Sequence, residues 1–317
     1  MSNQTLVTEF VLQGFSEHPE YSVLFFSCFL SLYFVALAGN ILIILAIAFN
    51  PGLHTPMYFF LFNLATMDII CTSSVIPKAL EGLVLEENSI SYGGCMAQLY
   101  FLTWAASSEL LLLTVMAYDR YAAICHPLHY STMMSKAFCG TLAASVFLLI
   151  FLCCSLSFIF FTGMILRVSQ LSFCGPNIIS HFFCDLGSLI HLSCSDTRSV
   201  EIHFFFVTSF VILLPLIITI IAYSNIVVTI LRLPSAKERQ KAFSTCSSHL
   251  IVLSLMYGSC VFIYLKPKQV SRLDSNREAA LVNTVVTPLL NPVIYTLRNK
   301  QVHQALRDTL SRVRLKK

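Results

Sequence analysis

Apolar residues along this chain gather into seven long runs, starting near Leu24, Met57, Gly94, Phe138, Val200, Phe243 and Leu281, with polar connections between them. Each run matches a bilayer-crossing helix, which needs roughly 20 mostly apolar residues because lipid offers backbone N–H and C=O groups no partner. Helices of a soluble protein would carry a polar face, and these runs have almost none. The pattern predicts an all-α membrane protein built as a seven-transmembrane helix bundle, with a short interfacial helix at the C-terminus. It divides the chain into a tail (1–23), the bundle (24–297) and a second tail (298–317).

Composition agrees: 56% of residues are hydrophobic and 11% charged, with mean hydropathy +0.75, against about 25% charged in soluble proteins. Charge then orients the bundle, because excess Lys and Arg stay cytoplasmic. With the N-terminus outside, the cytoplasmic segments hold 13 basic residues and three acids, and the outer segments seven basic residues and 11 acids. That split requires an odd number of crossings. The N-terminal tail lacks Lys and Arg and carries a glycan acceptor at Asn3, in Asn3-Gln4-Thr5. The first 20 residues show neither a basic nor an apolar stretch of signal-peptide type, so the first span is expected to target the chain to the membrane itself; the expected location is the plasma membrane. No nucleic-acid partner is expected.

Of the 12 cysteines, Cys95, Cys174, Cys184 and Cys194 fall on the oxidising side, where an even number of thiols reads as disulfides. Four thiols allow three pairings, and sequence alone does not choose. The loop between the fourth and fifth spans holds three of them, so one must reach Cys95 at the head of the third span. The spacings His181-x2-Cys184 and His191-x2-Cys194 resemble zinc ligands, but oxidised cysteines cannot serve as thiolates.

Two carboxylates stand inside apolar runs, Asp68 in the second and Glu109 in the third. Glu109 and Arg120 are eleven residues apart, close to three turns at about 3.6 residues per turn, so they share one helix face. An ionised carboxylate in lipid costs several kcal/mol, so these acids are expected to be protonated, hydrogen-bonded or paired with a cation. Pro215, Pro288 and Pro292 interrupt the fifth and seventh spans, each removing a helix hydrogen bond and bending its helix. Helical spacing selects residues facing the interior of the outer half: Thr103, Ala106, Ser107 and Leu110 on the third span, Phe204, Val207, Thr208 and Val211 on the fifth. The same spacing selects Tyr257, Cys260, Val261 and Tyr264 on the sixth, with Leu281 and Thr284 closing the set from the seventh. No carboxylate or Lys belongs to this set, which favours a small neutral ligand. Val302, Leu306, Leu310 and Val313 form one apolar face of the C-terminal segment, with Arg307, Arg312 and Arg314 free for lipid phosphates.

The most specific local feature is Met116-Ala117-Tyr118-Asp119-Arg120-Tyr121, followed by Ala122-Ala123-Ile124-Cys125-His126-Pro127-Leu128. It resembles the signature of rhodopsin-like G protein-coupled receptors and, in its extended form, that of the vertebrate odorant receptors. Further blocks match in order: Gly39-Asn40, Leu53-His54-Thr55-Pro56-Met57-Tyr58, Tyr223-Ser224, Lys241-Ala242-Phe243-Ser244-Thr245-Cys246-Ser247-Ser248-His249-Leu250 and Pro288-Leu289-Leu290-Asn291-Pro292-Val293-Ile294-Tyr295. The resemblance covers nearly the whole chain. One departure from the broad receptor class is Tyr257 where a Trp is usual; the only Trp is Trp104.

The resemblance implies a receptor, not an enzyme, that binds a small volatile organic ligand in the outer half of the bundle and activates a stimulatory, olfactory-type heterotrimeric G protein to raise cAMP. It assigns coupling and switching to Asp119, Arg120, Tyr121, Tyr223, Pro292 and Tyr295, with Asp119 beside Arg120 as its candidate partner. It implies a polar core of Asn40, Asp68, Glu109 and Asn291 that holds sodium and water; neutral acids acting as interhelical hydrogen-bond donors are the plainer alternative. The expected disulfides are Cys95–Cys184 and Cys174–Cys194, and no organic cofactor is expected. A transporter would show internal repeats and an intramembrane enzyme a nucleophile or metal-ligand set, and neither is visible.

Overall fold

The structure is a computed structural model, and it describes residues 7–14, 19–85, 88–127, 155, 158–159, 161–173, 176–264, 279–298, 302–305 and 307, without the side chains of 19, 241, 245, 248, 264 and 296–298. The calls on Asn3, on Cys174, on most of the fourth span and on Leu306, Leu310, Arg312, Val313 and Arg314 lie outside the described residues. Helices α1 (Ser22–Phe49), α2 (Pro56–Val84), α3 (Tyr92–Cys125), α5 (Arg198–Leu231), α6 (Ala236–Tyr264) and α7 (Thr287–Arg298) correspond to six of the seven apolar runs. We call the helical residues 161–168, at the end of the fourth run, α4. Four helices among the described residues are long and apolar enough to cross a membrane, and α6 becomes a fifth if its two segments form one span.

Local chemistry sets the helix ends. Pro56 opens α2, where its missing N–H is already without a helical partner. Ser91 caps α3, its hydroxyl accepting from Gly94 N at 3.1 Å. Within α1, Ser27 and Ser31 donate to the carbonyls four residues earlier, Val23 and Ser27, which hides their hydroxyls from lipid. Helix α3 is the central post, with 61% of its most apolar window buried against 22% for α5. It packs on α2, α5 and α6, while α1 packs on α2 and α7.

Pro215 and Pro292 lie inside their helices as expected, and Pro77 is a further interior proline in α2. Just before α7 the chain makes a π-helical segment, Val282–Val286. At Gly39 the helices α1 and α7 meet closely: a Cβ added there would stand 2.9 Å from Pro292 Cβ. Only glycine fits that approach.

The N-terminal tail is partly folded. Strand β1 (Glu9–Leu12) lies between β2 (Ser89–Ser91), to which it is antiparallel, and β3 (Ile178–Ile179), to which it is parallel. Phe10 and Leu12 point inward by strand alternation, and Phe10 meets Phe173 edge-on with ring centroids 5.3 Å apart. The molecule is thus a helical bundle carrying a small three-stranded cap.

Candidate functional site

The end of the bundle under the cap is organised by a disulfide between Cys95, at the head of α3, and Cys184, with Cα atoms 5.5 Å apart. Gln98 reinforces the same junction. Its Oε1 accepts from Cys184 N and its Nε2 donates to Ser74 O of α2, each at 2.8 Å. Cys194 is also disulfide-bonded, and its expected partner Cys174 lies outside the described residues. Among the described residues no group of three or more His, Cys, Asp or Glu is arranged to hold a metal ion.

Beneath this junction lies a cavity of about 80 Å³. Thr103, Ala106, Ser107 and Leu110 of α3, Phe204, Thr208 and Val211 of α5, Cys260 of α6 and Thr284 line it, as helical spacing predicts. Four predicted residues do not. Val207 is buried in the apolar cluster around the disulfide. Tyr257 turns into the central core, where its hydroxyl lies 3.0 Å from Thr114 Oγ1. Val261 is 38% exposed and looks outward, and Leu281 packs on the cluster around Ile76, Leu80 and Val285. The side chain of Tyr264 lies outside the described residues.

Periodicity could not find the roof, formed by Phe183, Asp185 and Leu186 of the loop that Cys184 anchors. It also missed Cys71, Glu109 and Asn283 in the walls. Glu109 and Asp185 correct the expectation that no carboxylate lines the cavity. They differ in readiness. Asp185 Oδ2 already accepts from Ser188 N at 3.1 Å, capping the short helix Leu186–His191. Glu109 is 0% exposed, and neither of its carboxyl oxygens has a hydrogen-bond partner among the described residues.

Of the residues expected in a polar core, Asn40, Asp68 and Asn291 make contacts that link α1, α2 and α7, whereas Glu109 of α3 stands in the cavity wall. Both oxygens of Asp68 accept from Asn291 Nδ2, at 3.1 and 3.0 Å. Asn40 Nδ2 donates to the carbonyls of Ala36 and Pro288, each at 3.0 Å. Asn40 Oδ1 and Asn291 Oδ1 are buried without a partner among the described residues, so this core presents oxygen acceptors that no described donor satisfies.

At the opposite end of α3, Arg120 Nη2 points at Met57 Sδ of α2. Arg120 is close enough to Tyr223, His249 and Tyr295 to act on them electrostatically. Tyr223 Oη lies 2.6 Å from His249 Nδ1, joining α5 to α6. Tyr295 of α7 is buried at 6% exposure, and its hydroxyl has no partner among the described residues. Tyr121 Oη meets His126 Nε2 at 3.2 Å. Arg120, Tyr223, His249 and Tyr295 at this end come from four different helices.

Comparison with known proteins gives this architecture its family. The olfactory receptor family model matches residues 28–313. The chain is 62% identical over 307 residues to human olfactory receptor 13A1, covering 97% of this chain and 92% of that protein. It is 48% identical over 317 residues to mouse olfactory receptor 6E1, with 98% of each covered. With an all-α bundle, a lined cavity and a clustered signature at the far end of α3, the chain belongs to the olfactory receptor family of G protein-coupled receptors.

Proposed function

We propose that this receptor takes a small, mostly apolar volatile molecule into the cavity between α3, α5, α6 and the Cys184 loop, and that occupancy activates a stimulatory, olfactory-type heterotrimeric G protein and raises cAMP. The cavity itself carries this reading. Its walls are apolar apart from a few placed groups, the ordinary make-up of a small-molecule site. Thr103, Ser107, Thr208 and Asn283 supply hydroxyl and amide contacts. Glu109 adds acceptors without a partner among the described residues, so a ligand bearing a hydroxyl donor is matched as well as a wholly apolar one.

A ligand shifts the bundle only if it binds the active arrangement better than the inactive one. The hydrogen bond between Tyr223 and His249 holds α5 to α6, and Asp119, Arg120, Tyr121, Pro292 and Tyr295 supply the rest of the switch. The N-terminus is external and the C-terminus cytoplasmic, in keeping with the charge split and with disulfides at the Cys95 end.

The polar core suits a sodium ion. Glu109, Asn40 and Asn291 would hold it beside Asp68, since their unpartnered oxygens are the hard donors such a cation takes. The ion would supply charge compensation between α2, α3 and α7. Its test is thermal unfolding of the purified receptor in sodium chloride against choline chloride: stabilisation by sodium that Asp68→Asn removes is expected, and no sodium effect would discard the ion.

The receptor reading is tested by cAMP measurement in cells expressing the chain against a chemically diverse panel of volatiles. At least one agonist is expected, with the response abolished by Arg120→Ala while surface expression persists. Intact signalling in that variant would refute the role of Arg120.

A further inference from the structure

We propose that the outer ends of α4 and α5 form a binding site for the headgroup of a zwitterionic phospholipid, with the phosphate held between Arg167 and Arg198. The two helices frame a hollow of about 510 Å³, separate from the ligand cavity. Arg167 comes from α4 and reaches across to α5, where its Nη1 donates to Ser199 Oγ at 3.3 Å. Arg198 opens α5 on the same rim. Neither guanidinium is ion-paired among the described residues. Two cations from different helices therefore face one concavity.

Simple snorkelling would send each arginine separately to water. The Arg167–Ser199 contact does the opposite and draws one cation toward the other. Planar guanidinium groups bind phosphate oxygens through paired charge-assisted hydrogen bonds, which suits them to this task. His203 also lines the hollow, and its Nε2 is buried without a partner among the described residues. Asp196 adds one carboxylate to the rim, its Oδ1 accepting from Arg198 N at 3.0 Å. A phosphate flanked by an ammonium group complements two cations and one anion.

The lower wall is apolar and open. Ile202 is 48% and Phe206 67% exposed, one turn apart on the outer face of α5. Depth agrees as well. Helix α5 has 34 residues and so is about 51 Å long at 1.5 Å per residue, well beyond a hydrocarbon core of about 30 Å. Its first turn stands at headgroup level and Phe206 lies below, against acyl chains. Phe161 of α4 and Phe204 of α5 line the ligand cavity, so a lipid bridging these helices braces one cavity wall from outside.

The test is native mass spectrometry of the purified full-length receptor. It is titrated with dioleoyl phosphatidylcholine or with a dioleoyl galactolipid that lacks phosphate, in the presence and absence of inorganic phosphate. A one-lipid adduct is expected with phosphatidylcholine and not with the galactolipid. It should survive inorganic phosphate, because the acyl chain contributes through Ile202 and Phe206. The double variant Arg167→Ala/Arg198→Ala should weaken the adduct about tenfold, equivalent to about 1.4 kcal/mol, and Arg198→Gln alone should weaken it less. Equal retention of the galactolipid, equal retention by the double variant, or displacement by inorganic phosphate would each overturn the assignment. The comparison of two lipids on the unaltered receptor decides the question even if the double variant fails to fold.

Discussion

Asn40 Nδ2 donates, at 3.0 Å, to the carbonyl of Pro288, the acceptor that Pro292 leaves without a helical donor four residues on. A proline in a helix interior orphans the carbonyl of residue i−4, and in lipid that oxygen has no water to turn to. Here α1 supplies the missing donor. The blocks Gly39-Asn40 and Asn291-Pro292 are therefore one joint: Gly39 lets the bent helix approach, Asn40 satisfies the carbonyl the bend exposes, and Asn291 reaches Asp68.

Asn40→Ala is expected to destabilise the receptor by about 1–3 kcal/mol, the cost of a buried acceptor left unsatisfied. Thermal unfolding of purified protein measures it. An unchanged midpoint would remove Asn40 from the joint.

Cys95→Ser and Cys184→Ser should each abolish delivery to the cell surface, because one bond ties the cavity roof to α3. Flow cytometry against the N-terminal tail reads this out directly. Normal delivery of either variant would show the roof to be held by Gln98 and the strands alone.

Tyr223 and His249 should be energetically coupled, since their contact at 2.6 Å is buried between α5 and α6. A double-mutant cycle with Tyr223→Phe and His249→Phe, followed by thermal unfolding, is expected to give a coupling of about 0.5–3 kcal/mol. Additive effects would mean that the contact contributes nothing to holding the helices together.

Ala106→Phe places a ring in a cavity of about 80 Å³ and should raise the agonist concentration needed for half-maximal cAMP by at least about tenfold, the equivalent of about 1.4 kcal/mol of lost binding. Surface expression is the control. An unaltered dose-response curve would locate the ligand elsewhere.

The sequence discloses the spans readily, because lipid demands a long, mostly apolar run and that signal does not depend on neighbouring helices. The cavity is harder. On α3 and α5 the helical spacing lands on the right face, but on α6 it is off by one residue. Of Tyr257, Cys260 and Val261 only Cys260 is in the wall, which is formed by Met256, Cys260 and Ile263, a rotation of about 100° that no pattern distinguishes in an all-apolar helix. At the seventh span the π-helical segment Val282–Val286 inserts an irregular turn, so Ala280, Asn283 and Thr284 face the cavity in place of Leu281. The roof residues Phe183, Asp185 and Leu186 follow from a disulfide and from no periodicity. Strand β1 was written in the alternation of Phe10 and Leu12, yet at four residues it is too short to separate from chance without its partners.

The order of synthesis gives that strand a further meaning. Residues 9–12 leave the ribosome well before their two partners at 89–91 and 178–179, with α1 and α2 made before the first and α3 before the second. The cap is thus a late stitch, closed only once residue 179 has been made and the helices before it are laid correctly. A chain whose earlier helices are mislaid leaves Phe10 and Ile179 without the apolar cluster that buries them both.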